Sequence, residues 1–307
     1  MEVNKVHAFT IFTPTYNRAH TLGRVFQSIR QQTFRDFEWI VIDGGSEDNT
    51  SELVRGWMEE SDFPIIYCQH NSGKHVAINR GVARARGFLF VIVDSDDWLH
   101  PDALERMLRC WESIPDGQKE NFVGVGGLFA YFNGEIVGDP FPSTVFDSDM
   151  LERWAKWNIY GDKMECFRVD VLRRYPFPED IGRFVPEGLI WNELSLSYET
   201  RFFNEVVAYK EYLPGGLSSK KIRFAIENAR SAWVYFKRLC TIFEKKNLPF
   251  KFRLKSYVSY TRFGLHAHIY PKEMIANTPS KFLWILTAPL GIAVYLLDNG
   301  RVLWEKM

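Results

Sequence analysis

The sequence predicts an α/β protein: a mostly parallel central sheet with helices on both faces, followed by a helical C-terminal region. Three observations predict it. Apolar runs alternate with amphipathic stretches over the first 130 residues. Each of the first four apolar runs ends in a polar loop rich in small residues. From residue 218 onward the pattern is continuously helical.

The elements follow in order. HAFTIFTP reads as a first strand. Thr21 stands where a helix cap belongs, ahead of Leu22, Val25, Phe26 and Ile29 on one stripe. FEWIVID is a second strand, and Asn49 with Glu52 has the spacing of a capping box before Leu53, Val54, Trp57 and Met58. FPIIYC is a third strand, residues 74–86 a helix of small residues, and FLFVIVD a fourth strand. Pro101 is placed to open the next helix, whose stripe is Leu104, Met107, Leu108 and Trp111. Strands apolar throughout, set between amphipathic helices, belong to a sheet covered on both faces. Past residue 120 the pattern loosens: Asn133-Gly134 lies between two strand-like runs, a hairpin signal. Farther on, Ala232, Phe236, Leu239, Cys240 and Phe243 make a helical stripe with basic residues between them. These shifts divide the chain into a sheet domain at 1–217, with halves 1–100 and 101–217, and a helical region at 218–307.

At 307 residues, 46% hydrophobic and 25% charged, the chain is globular. Its aromatic share of 16% is high, and aromatic rings line sugar and base sites as well as cores. Cys68, Cys110, Cys166 and Cys240 lie far apart without a C-x-x-C pair, which argues against zinc and for a reducing compartment. The N-terminal stretch lacks the charged start and apolar core of a secretory signal. The net charge of zero hides a split: residues 1–219 hold 22 Lys/Arg and 33 Asp/Glu, whereas 220–255 hold 11 and 2. Such asymmetry predicts an acidic body and a basic tail, read either as a solvated helix face or as a surface for something anionic.

In an open parallel sheet, ligands bind beyond the carboxyl ends of the strands. There stand TPTYNR, DGGSEDNT, HNSGKH and DSDD. No G-x-x-x-x-G-K-[ST] loop is present, and GVGG at 124–127 is no G-x-G-x-x-G fingerprint, which argues against kinase-like and dehydrogenase readings. In an extended DSDD, Asp94 and Asp96 point together with Ser95 opposite. Two carboxylates side by side repel unless a cation joins them, and a hard divalent ion fits. The competing reading, acids at a helix N-terminus, accounts for Asp97 or Asp102 better than for Asp94 and Asp96.

The series TPTYNR, VIDGGSEDNT, NSGKHVAINRG and FVIVDSDDWL resembles the family 2 glycosyltransferases of GT-A fold, specifically over the first 100 residues and only generally past 210. The resemblance implies an inverting transferase that takes a nucleotide-diphosphate sugar with Mn2+ or Mg2+. It makes 1–100 the nucleotide-sugar half and 101–217 the acceptor half. It implies that Thr13, Pro14, Thr15 and Tyr16 contact base and ribose, with Tyr16 stacking, and that Asp43 is the first acid of the family's D-D-G-S element. Gly44 replaces the second acid. Asn71, Gly73, Ala77 and Asn79 match the third motif, Ile78 replaces its arginine, and Lys74 is positioned to supply that charge to the diphosphate. Asp96 matches the metal-binding acid, Asp94 an acid contacting ribose or metal, and Ser95 between them is counted with the donor contacts. The family's base maps to Glu187, with Glu193 and Glu199 as rivals. Asp162 and Lys163 match an acceptor-side strand. The Q-x-x-R-W element of processive synthases is absent, which favours transfer of a single sugar.

Bacterial members of that family extend lipid-linked glycans on the cytoplasmic face, so the acceptor is expected to be a lipid-linked oligosaccharide. A cytoplasmic location, peripheral on the inner face of the cell membrane, follows. The basic tail suits an anionic membrane or lipid pyrophosphate. No nucleic-acid module accompanies it, so no nucleic-acid partner is expected. The apolar run 282–297 has 16 residues, below the ~20 of a spanning helix. It has three readings: docking on a membrane, packing in a core or homodimer, or a span. A reading from another class, a non-catalytic sugar-binding or scaffold subunit, draws on the missing acid and arginine.

Overall fold

The computed structural model describes residues 7–211, 221–246 and 248–304. The chain divides into two compact units: residues 1–177 with 197–212, and residues 178–196 with 213–307.

The first unit begins with β1 (His7–Thr15), α1 (Ala19–Arg30), β2 (Phe37–Asp43), α2 (Thr50–Glu60), β3 (Ile65–Gln69), α3 (Lys74–Arg84) and β4 (Gly87–Ile92). After these come β5 (Trp98–Leu99), α4 (Ala103–Glu112), β6 (Phe122–Ala130), β7 (Val145–Ser148), α5 (Met150–Ala155), β8 (Lys163–Arg168), α6 (Val169–Leu172) and β9 (Glu199–Tyr209). One sheet runs in the order β3-β2-β1-β4-β8-β6-β9-β5, with β7 on β9. β3, β2, β1 and β4 are mutually parallel. β8 enters antiparallel between β4 and β6, and β6 and β9 are again parallel. Thr15 pairs with Asp43 and Asp43 with Gln69, so three strands stop in one row. Phe12 pairs with Ile92, which puts the end of β4 beside it.

β2 is buried at every residue, including Glu38, whose carboxylate accepts from Thr10 Oγ1 at 2.8 Å and from Arg86 Nε at 2.9 Å. Leu22, Val25, Phe26 and Ile29 of α1 are buried as their spacing predicts, and Phe26 stacks on Trp57 at 4.5 Å. The helix starts differ from expectation. Thr21 lies inside α1; the free Ala19 amide is taken by the Asp48 carboxylate at 3.0 Å, from the loop after β2. Asn49 occupies the cap position of α2 without a capping bond, while Asp48 accepts from the Thr50 amide. α4 begins at Ala103, two residues past Pro101. Asn133-Gly134 does turn the chain, with Gly134 at φ 87°, but the return run meets β6 only through one bridge, Ala130 to Ile136.

The glycines of β6 are packing devices. A Cβ on Gly124 would lie 1.8 Å from the Cys166 carbonyl oxygen, and one on Gly127 2.7 Å from Val207. Only hydrogen fits where β8 and β9 approach so closely.

The second unit is helical: α7 (Gly188–Leu194), α8 (Lys221–Glu227), α9 (Ala229–Lys245), α10 (Phe250–His266), α11 (Pro271–Asn277) and α12 (Lys281–Trp304). Its core gathers Trp233, Tyr257, Tyr260, Phe263, Met274 and Leu283. Two arginines of the basic tail are paired internally: Arg238 grips Glu193 and Arg253 grips Glu244, to which Tyr257 also donates at 2.8 Å. The apolar run 282–297 does not end at Pro289 but belongs to the 24-residue helix α12, long and apolar enough by length and composition to cross a membrane.

Gly124→Ala is expected to lower stability by about 1–3 kcal/mol, because backbone cannot retreat as a side-chain tip can. Thermal denaturation of the purified variant checks this.

Candidate active site

The aligned ends of β1, β2, β3 and β4 bring four loops to one edge of the sheet. Asp43 organises them. It is fully buried; its Oδ1 accepts from the amides of Gly45 (3.1 Å) and Ser46 (2.8 Å) and from Ser46 Oγ (2.6 Å). Its Oδ2 accepts from Tyr67 Oη at 2.7 Å. Burial, then the hydrogen bond and charge of Asp43, pushes the Tyr67 phenol up from its ordinary range, so it stays a proton donor. The Asp43 carboxylate therefore holds the second loop in shape. Beside it, the Gly44 amide donates to the Thr15 carbonyl at 2.7 Å. A Cβ on Gly44 would sit 3.2 Å from the Ser72 carbonyl oxygen and 3.5 Å from Tyr16. Where the family has its second acid, three loops here converge on a residue without a side chain.

The first and second loops are cross-braced. Asn17 accepts from the Glu47 amide at 2.9 Å and its own amide donates to Ser46 Oγ at 2.8 Å. Asp48 bonds Ala19, Thr50 N and Thr50 Oγ1. Burial alone would raise the Asp48 pKa, but these hydrogen bonds outweigh it and hold the carboxyl below its usual range.

DSDD is a turn rather than an extended segment: the Asp97 amide donates to the Asp94 carbonyl at 3.1 Å. The alternation expected of it survives. The side chains of Asp94 and Asp96 are 39% and 35% exposed, while Ser95 and Asp97 are buried. Each open carboxylate faces a cation. Lys74, the first residue of α3, reaches Asp94 at 2.6 Å, and Arg18, before α1, stands 4.0 Å from Asp96. Asp97 is different. Burial pushes it up to about 8, Lys210 opposing and Asp94 and Asp96 adding to the rise. It is protonated at neutral pH. Lys210 is held charged against its burial by the Asp162 carboxylate, which it bonds at 2.6 Å.

The other expected donor contacts divide. Tyr16 is half exposed at the loop tip. Pro14 is buried, and Thr15 is buried with its hydroxyl unpartnered. Other side chains of these sets are engaged within the protein. Thr13 is fully buried and accepts from Trp39 Nε1 at 3.0 Å, so its side chain belongs to the core. Asn79 holds Phe177: its amide donates to the Phe177 carbonyl and accepts from the Phe177 amide, both at 2.9 Å. Lys163 is buried against the carbonyls of Val137 and Tyr160 rather than lining a cleft. In the second unit, Glu187 precedes α7 and accepts from Trp191 Nε1 at 3.3 Å. Glu193 is occupied by Arg238, which weakens it as a base. Arg18 and Lys210 went unassigned in the sequence. Arg18 sits in the quoted TPTYNR, but nothing in the spacing ties Lys210 to the acids.

Among the described residues no group of three His, Cys, Asp or Glu side chains could hold a metal alone. Asp94 and Asp96 still fit a hard divalent ion, since Mg2+-type ions take one or two carboxylates and complete their shell with water and substrate phosphate oxygens. Along α1 in the same unit lies an open groove of about 890 Å³, lined by Arg24, Gln27, Gln31, Trp98, Phe132 and Tyr209. Trp98 stacks on Phe132 at 3.7 Å beneath the Arg24 guanidinium.

Residues 10–159 match the model of Glycosyl transferase family 2. The chain carries a family 2 glycosyltransferase domain. Glycosyltransferase GlyA of Streptococcus pneumoniae is 32% identical over 144 residues, 45% of this chain but only 20% of that protein. TarS 1-349 of S. aureus, solved in complex with UDP-GlcNAc, superposes with a TM-score of 0.59 at 18% identity, covering 94% of this chain and 89% of that one. The mannosyltransferase PcManGT of Pyrobaculum calidifontis, solved with GDP-Man and Mn2+, gives 0.55 at 19%, covering 98% and 84%. At these identities the structures establish the GT-A fold.

An acid whose pKa is higher in the fold than its ordinary 3.8 binds more protons when folded. The stability Asp97 contributes is complete below about pH 4 and is lost as pH rises through about 8. Asp97→Asn, which keeps the neutral form at every pH, is expected to melt at least ~2 °C above the parent above pH 8, the gap closing towards pH 4. Melting curves across that range check it.

Proposed function

We propose that the protein is a metal-dependent inverting glycosyltransferase that moves one sugar from a nucleotide-diphosphate sugar to an acceptor hydroxyl. The observation that carries the reading is the acid turn at the end of β4. Two open carboxylates face two cations, where three other strand-end loops converge. That arrangement suits a diphosphate: Lys74 and Arg18 provide charge for its oxygens, Asp94 and Asp96 the ligands for a divalent ion, and Tyr16 a face for the base. When bound, that ion supplies Lewis-acid stabilisation of the leaving diphosphate. Family membership and the nucleotide-sugar complexes of the structural relatives support the same donor class.

In the reaction an acceptor oxygen attacks the anomeric carbon. The new glycosidic bond forms as the bond to the diphosphate breaks, with inversion. The acceptor proton passes to the Glu187 carboxylate as general base. Lys74 and Arg18 balance the charge left on the nucleoside diphosphate. The acceptor is a lipid-linked oligosaccharide, and the protein attaches peripherally to the cytoplasmic face of the cell membrane. The groove beside Trp98 offers aromatic faces and planar amides for its sugar rings.

Glu187→Gln is expected to lower turnover by about 10²–10⁴-fold while donor binding persists. A thermal shift with nucleotide sugars, run beside a transfer assay, separates the two; a variant with full turnover would overturn Glu187 as the base, and a parent that binds donor without any turnover would point to a scaffold. Asp96→Ala is expected to cut metal-dependent release of nucleoside diphosphate by at least ~10²-fold. The reading is overturned if the parent neither hydrolyses nor transfers any donor of a broad panel with Mn2+ or Mg2+.

A further inference from the structure

Helix α12 is turned inside out. Its inner side carries Leu283, Thr287, Gly291 and Asp298, all buried. Asp298 receives both arms of Arg262, at 2.5 and 2.6 Å, and lies 3.0 Å from His266 Nε2, both residues of α10. Thr287 donates to the Leu283 carbonyl at 2.8 Å, and a Cβ on Gly291 would lie 2.6 Å from Thr261 of α10. The outer side carries Phe282, Ile285, Leu286, Leu290, Leu296 and Leu297, each 58–74% exposed. With the exposed Ile292 and Ala293 between Leu290 and Leu296, their spacing of three and four residues makes one continuous apolar face. A helix packed on a water-soluble core shows the opposite pattern. Isolated exposed leucines need no explanation; an aligned series along one helix does.

We infer that α12 docks this face in the plane of an anionic membrane surface, entering the boundary between headgroups and acyl chains without crossing the bilayer. The inference deepens the peripheral attachment proposed above and rests on it for the choice of membrane face. A span is disfavoured by the inner side. Asp298 is clamped to Arg262 and His266, and Gly291 lies flush on α10, so crossing the bilayer would carry an ionised pair and its neighbouring helix into hydrocarbon. An in-plane helix leaves them all on the protein side. A second copy of the chain suits the face poorly. Its outward positions carry no side-chain donor or acceptor, whereas protein interfaces make about one hydrogen bond per 100–200 Å². The surrounding charge has the wrong sign for self-association. Residues 220–307 hold 16 Lys/Arg against 5 Asp/Glu, a net of +11, with exposed Lys272 and Lys281 near the start of the helix. Anionic lipid complements that charge, and another copy repeats it.

The test is co-sedimentation of the full-length protein with phosphatidylcholine vesicles and with mixed phosphatidylcholine–phosphatidylglycerol vesicles, alongside light scattering without lipid. The parent is expected to sediment with the mixed vesicles and less with the neutral ones. Leu290→Glu/Leu296→Glu is expected to weaken that binding by about tenfold or more. Leu286→Ser/Leu297→Ser, a milder pair on the same face, is expected to weaken it in the same direction. Far-UV circular dichroism confirms that each variant is folded. Release of nucleoside diphosphate in lipid-free solution is expected to be unchanged. The inference is wrong if the folded variants bind as the parent does, if the parent ignores anionic vesicles, or if it is a dimer that the variants dissociate. Loss of vesicle binding with turnover intact separates this surface from the catalytic reading. A parent that binds vesicles but never turns over a donor would count against the catalytic reading alone.

Discussion

The register of four parallel strands is the constraint on which the site depends. Thr15, Asp43 and Gln69 stand in one row because the strands pair residue for residue, and β4 ends beside them. A slip by one residue would turn every side chain to the other face and scatter the loops. The buried apolar faces of β1, β2 and β4 prevent such a slip. With the row fixed, hydrogen bonds complete the arrangement: Asp43 shapes its own loop, Asp48 reaches across to α1, and Asn17 reaches back. An edge made of loops is thereby braced by the sheet beneath it and by bonds between the loops.

The electrostatics of that edge follow from burial. Three aspartates within four residues would repel strongly if all were ionised. The turn resolves this by exposure. Asp94 and Asp96 face outward, each beside a cation, and Asp97 faces inward and keeps its proton. The outward pair is thus presented without a third negative charge behind it. A ligand that brings its own anion and divalent ion would replace the lysine and arginine contacts with stronger ones of the same sign pattern.

Much of this was legible in the sequence, for a physical reason. Stripes such as Leu22, Val25, Phe26 and Ile29, and runs such as FEWIVID, report burial directly, so the elements of the N-terminal half came through. Polar strand ends pointed to one edge of the sheet, where the paired strands do bring those loops together. What stayed hidden depends on partners distant in the chain. No local pattern ties Thr13 to Trp39 or Asn79 to Phe177, which their side chains bond. The cap of α1 comes from Asp48, which no local pattern could reveal. Lys210 reaches the acid turn from the far end of β9. The outward face of α12 was invisible too, because an apolar run does not say which side is packed; the buried Asp298 and Thr287 decide it.

The bond between Asn79 and Phe177 has one more consequence. Phe177 is the last residue of the first unit before the segment that bears Glu187. Asn79 lies on α3, the helix that opens with Lys74. A single side-chain amide therefore fastens Phe177 to that helix. Phe177 is thereby fixed within the first unit by two hydrogen bonds, and the boundary between the units falls one residue later, at Pro178.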